Sequence, residues 1–127
     1  VIYEEFAAML AAFAAGQDLL VKYPGISFAP PDTGIWLELV LTRNGNIEYG
    51  IADDGPAPEQ GLFRVLVIDR PGNSITIAYR IAKALAQAIP KGTPLDDAFV
   101  YKKPGITGPL EDAGWIMHPV TWMYQST

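Results

Sequence analysis

The side chains able to do polar chemistry in this 127-residue chain are fourteen Asp and Glu, nine Lys and Arg, one His and no Cys. Three acid pairs, Asp53-Asp54, Asp96-Asp97 and Glu111-Asp112, carry oxygens that suit a hard cation. None has the Asp-x-Asp-x-Asp-Gly spacing of a calcium loop, so they read as solvated loop charge. His118, the single imidazole, precedes Pro119 with no Ser- or Cys-centred motif to complete a nucleophilic pair, and it reads as a structural or surface residue. No Gly-x-x-x-x-Gly-Lys-Ser/Thr occurs, and Gly72 stands alone ahead of a helix, so no phosphate cradle is expected. Without cysteine there is neither a disulfide framework nor a thiolate metal centre. The expectation is therefore no catalytic, cofactor-binding or metal site, no enzymatic activity, and a function exerted through surfaces offered to other proteins.

Two kinds of residue point to such surfaces. Lys102-Lys103, the only adjacent basic pair, reads first as a solvated strand end and otherwise, with Lys91, as a small cationic patch. Trp36, Trp115 and Trp122 are first of all core or core-rim residues, with interface anchoring as their other use. Composition narrows the classes further. Half the residues are apolar and 18% are charged, a globular balance in a length that suits one domain, residues 1–127. A net charge of -5 opposes tight binding to nucleic-acid phosphates. Val1 to Val21 is apolar but interrupted by Glu4, Glu5, Gln17 and Asp18, which reads as neither signal peptide nor membrane span.

These residues must be positioned by elements that local patterning already outlines. Ile2, Phe6, Met9, Leu10, Phe13 and Leu20 recur at steps of three, four and seven among alanines, predicting a helix over 2–15 that Gly16 ends or bends. Tyr23 to Gly34 is rich in Pro and Gly and reads as an ordered, extended connection. Ile35 to Arg43 alternates, with Leu37, Leu39 and Leu41 on one face and Trp36, Glu38 and Val40 on the other, as a strand does. Asn44-Gly45-Asn46 then predicts a tight turn, with Ile47 to Ile51 returning antiparallel. Ala52 to Gly61 reads as an exposed acidic loop and Leu62 to Arg70 as the next strand. Pro71 to Ser74 gives a turn and helix cap, and Ile75, Ala78, Ile81, Ala82, Leu85 and Ile89 form the apolar stripe of a second helix halted by Pro90. Asp97 to Lys103 and Trp115 to Gln125 complete the strands, around a loop over 104–114, with Pro119 implying a sheet edge or a bulge. The sum is an α+β fold in the order α-β-β-β-α-β-β, an antiparallel or mixed sheet of about five strands with two helices on one face.

In that order of elements, Tyr-Pro-Gly-Ile-Ser-Phe-Ala-Pro-Pro-Asp-Thr-Gly-Ile-Trp-Leu at 23–37 resembles the proline-rich lead-in of tail terminator proteins of long flexible-tailed bacteriophages. Gly61-Leu62-Phe63-Arg64-Val65-Leu66-Val67 and Arg70-Pro71-Gly72-Asn73-Ser74 match the family's Gly-led strand and its Pro-Gly turn into an amphipathic helix; the last forty or so residues match least. The resemblance implies a structural virion protein, made in the host cytoplasm, that caps the tail tube at its head-proximal end as a hexameric ring. Its implied partners are further copies of itself, the tube protein and the head connector, with DNA passing nearby without specific binding and no membrane involved. Loop residues Asp53, Asp54 and Glu59, with Lys102 and Lys103, are the expected contacts. Competing readings are another neck or minor tail protein and, from a different class, a small ligand-binding domain or enzyme whose acids meet in a pocket.

Overall fold

A computed structural model describes residues 2–46 and 59–126, with backbone alone over 41–46 and at 59. Helix α1 spans Ile2–Gln17 and buries Ile2, Phe6, Leu10 and Ala14, one residue per turn at steps of four. Gly16 does not end it. The stop falls at Asp18, whose φ of 57° is left-handed, with Asp18 N–H donating to Ala15 O and Leu19 N–H to Ala14 O. This double bond pattern closes a helix around a left-handed residue, and Asp tolerates that conformation better than most.

Strand β1 (Val21–Lys22) runs parallel to β2 (Trp36–Asn46), which pairs antiparallel with β3 (Glu59–Asp69). The expected tight turn at Asn44-Gly45-Asn46 is corrected here. These residues continue β2, with Gly45 opposite Gln60 and Asn46 opposite Glu59, and a register shift between Arg43 and Gly45 absorbs the irregularity. The Asn-Gly signal therefore marks a bulge rather than a hairpin turn. The expected return strand 47–51 lies outside the described residues, and Glu59 to Gly61, read as loop, open β3.

Helix α2 (Ile75–Ala88) begins as expected: the Ser74 side chain accepts from Thr76 N–H, and Pro90 follows the Ile89 cap. The hairpin β4 (Pro94–Leu95) and β5 (Ala98–Val100) replaces the longer strand expected over 97–103. Within the segment read as loop lie β6 (Gly105–Ile106) and β7 (Leu110–Asp112), both paired with the long β8 (Trp115–Ser126). Ala113 and Gly114, at φ 50° and 82°, form the two-residue turn between β7 and β8.

The sheet order is β1-β2-β3-β8-β5-β4, with β6 and β7 also on β8, so the strands outnumber the five expected while the mixed α+β class holds. Pro119 sits not at an edge but in the central strand, opposite Leu66 of β3. Its carbonyl accepts from Thr107 N–H. The missing amide of Pro119 points the same way, toward Gly108-Pro109, where one extra residue separates the β6 and β7 registers on β8.

Both helices cover one face of this sheet. Phe6 stacks on Phe63 at 4.3 Å between centroids and meets Trp122 edge-on at 5.0 Å, while Phe63 stacks on Tyr124 at 5.1 Å. From α2, Ala78, Ala82 and Leu85 join Leu37, Leu39, Val65, Val67 and Val120 in the same core. Ile75, read as part of the α2 stripe, is exposed instead, as the first residue of the helix at the edge of the cleft it shares with Asp69 and His118. Trp36 and Trp115 sit on the opposite face, edge-on to one another at 5.6 Å, with Phe28 tilted against Trp36.

Candidate interaction surface

Tyr79, Lys83 and Gln87 recur every four residues along α2, so they form one stripe beside the buried one. That stripe faces the segment after β5, and together they line a groove of about 470 Å³ to which Lys83, Lys91 and Lys103 all contribute. Its apolar lining comes from Ala86, Pro90, Pro104 and Ile106. Lys91 and Lys103 thus line the same groove. Lys102 does not, since its ammonium lies 5.7 Å from the ring of Tyr101. Both Lys102 and Lys103 are exposed and lie just past β5 rather than within a strand. Lys83 has no part in the basic grouping the sequence offers, although the Tyr79, Lys83, Gln87 spacing places it on that stripe.

Asp53 and Asp54 lie outside the described residues, and Glu59 is described only as the first residue of β3. Glu111 and Asp112 are exposed on β7, where successive residues point to opposite faces. Among the described residues, no group of three or more His, Asp or Glu is placed to hold a metal ion.

His118 is 2% exposed on β8, with the Tyr79 ring edge-on at 6.2 Å and Nδ1 unpaired. Burial holds its pKa below the ordinary imidazole value, favouring the neutral ring. A narrow cleft joins it to Asp69, Arg70 and Asn73. The Asp69 carboxylate is already engaged, accepting from Arg70 N–H at 2.7 Å and from Asn73 Nδ2 at 3.0 Å. It holds the turn into α2 instead of orienting the imidazole, and the cleft is built as a helix anchor.

Arg70 ties the proline-rich segment to the sheet. Its guanidinium donates to Pro31 O and, at 3.4 Å, to Gly34 O, and lies 5.0 Å from the ring of Trp115. Sequence reading missed this role because its partners are backbone carbonyls more than thirty residues away, which leave no pattern.

Comparison with known proteins defines the class first. One solved structure superposes with a TM-score of 0.80 at 20% identity, covering 99% of this chain and 93% of the other. A second, from the virion of a native gene transfer agent (GTA) particle, gives a TM-score of 0.57 at 18% identity over 98% of this chain and 90% of that one. At these identities the likeness is one of fold, an α+β layer preserved nearly end to end. No curated protein matches the chain. The family model of the phage tail terminator protein matches residues 2–124. The chain belongs to the phage tail terminator family, a family of structural components of bacteriophage tails.

Proposed function

We propose that this chain, as one tail-terminator-like domain, caps the finished tail tube as a hexameric ring at the head-proximal end. There it stops tube growth and provides the surface on which the head connector docks. The observation that carries this reading is the family match across residues 2–124, nearly the whole chain. A closed ring of identical subunits needs two different, complementary faces on each, and the fold supplies dissimilar ones: a helix-covered side and a sheet side carrying Trp36, Trp115 and the Arg70-anchored proline-rich segment. The role is structural, with no chemistry at the ring, and DNA passes without being gripped. Contacts to neighbours include Asp53 and Asp54 in the segment after β2, Glu59 at the start of β3, and Lys102 and Lys103 after β5.

The test is the mass of the chain alone and after addition to preformed tube. A six-fold ring on the tube end is the expected result, and a chain that never associates with tube contradicts it. Within that experiment, joint charge reversal of Asp53, Asp54 and Glu59 should impair assembly while leaving the thermal melt unchanged. Normal assembly by that variant would remove these three acids from the interface.

A further inference from the structure

Three lysines line one groove in a chain of net charge -5. Lys83 comes from the middle of α2, Lys91 from just beyond its end and Lys103 from the segment after β5. No ion pair among the described residues involves any of them; the pair that is described, Lys22 with Glu38, belongs to the β1–β2 edge. The carbonyl end of α2 accounts for one lysine near it but not for three on the same groove. Like charges held together without counter-charges repel, so the arrangement gains free energy when an anion arrives.

The shape and lining decide which anion. Beside the lysines the lining is apolar, with Ala86, Pro90, Pro104 and Ile106 and the half-exposed Tyr79. A nucleic-acid strand offers no aliphatic side chain to such a lining, and its phosphates continue past the groove over a chain that is acidic overall. A protein segment with a few carboxylates flanking an apolar residue satisfies both the lysines and the apolar lining. To face one rim, carboxylates must sit at i and i+2 of a strand or i and i+4 of a helix. This chain has no two acids spaced by two, three or four residues: all its close pairs, Glu4-Glu5, Asp53-Asp54, Asp96-Asp97 and Glu111-Asp112, are adjacent. Adjacent acids diverge by about 100° on a helix and about 180° on a strand, so no single segment of a second copy offers such a pair.

We infer that the groove between α2 and the β5–β6 segment is a docking site for an acidic segment of a different protein in the tail, with carboxylates at alternate or helically repeated positions around an apolar anchor. This rests on the reading of the chain as a tail component and adds a partner surface to it.

The test compares lysine acetylation of the free chain with that of the chain in assembled tails, followed by zero-length carbodiimide cross-linking of those tails and mass spectrometry. Lys83, Lys91 and Lys103 are expected to become protected on assembly and to form amide links to Asp or Glu of another polypeptide. The K83E/K91E/K103E variant should keep its thermal melt yet be incorporated about tenfold less well. Equal reactivity in both states overturns the inference, as do links to a second copy or protection abolished by nuclease. Should wild-type chain be absent from tails altogether, the tail-component reading falls with it; incorporation with unprotected lysines overturns the groove alone.

Discussion

The indole N–H of Trp122 donates to the backbone carbonyl of Ile89 at 2.8 Å, fastening the end of α2 to the central strand β8. Both residues are essentially buried, so this carbonyl has no water to fall back on. The bond fixes how the α2 stripe sits over the sheet, and with it the position of Lys83 and Lys91 around their groove.

Trp122→Phe keeps an aromatic ring against Phe6 but removes the donor. Leaving a buried acceptor unsatisfied costs about 1–3 kcal/mol. The urea midpoint should fall with an unchanged slope, as expected when stability alone alters. A midpoint equal to that of the parent chain would show that the bond contributes nothing.

His118 makes stability depend on pH. Folded, its pKa is held below the ordinary 6.5 by burial, so the unfolded chain takes up a proton more readily. Stability from the neutral ring is complete above about pH 6.5 and is lost as pH falls toward the folded pKa. The groups near it are the Tyr79 ring and, along the cleft, Asp69 and Arg70, of which Asp69 is engaged by the turn. Urea midpoints between about pH 7 and 5 should decline more steeply for the parent chain than for His118→Gln. Parallel declines would contradict this.

Arg70→Ala should release the proline-rich segment. The guanidinium bonds to Pro31 and Gly34 carbonyls and the contact with Trp115 all disappear, a local loss of about 1–2 kcal/mol. Limited proteolysis between Tyr23 and Gly34 should quicken by about tenfold, while global unfolding moves less. Unchanged cleavage would mean that Phe28 and Trp36 hold the segment unaided.

What the sequence made legible is what local pattern encodes. The α2 stripe from Ala78 onward, the Ser74 cap and the alternation that sends Leu37 and Leu39 inward follow from spacing alone, and the structure has them. Elements that depend on distant partners were hidden. Strands β6 and β7 are two and three residues long within a run of Pro and Gly, and they are strands only because β8 lies beside them. Gly61 looked like the end of a loop. Its backbone lies against the ring of Tyr124, where an added Cβ would stand 2.6 Å from Cζ, so the glycine serves close packing inside a strand. The cationic groove was half visible: Lys91 and Lys103 were grouped from charge, and Lys83 required knowing that α2 turns its Tyr79, Lys83, Gln87 stripe toward them.

The central claim, that the chain ends tube growth, is tested most directly by measuring tail lengths in electron micrographs of particles assembled without it. Tubes of variable, extended length that fail to join heads are the predicted result, restored to uniform length by adding the chain back. Tails of normal length that join heads in its absence would contradict the account.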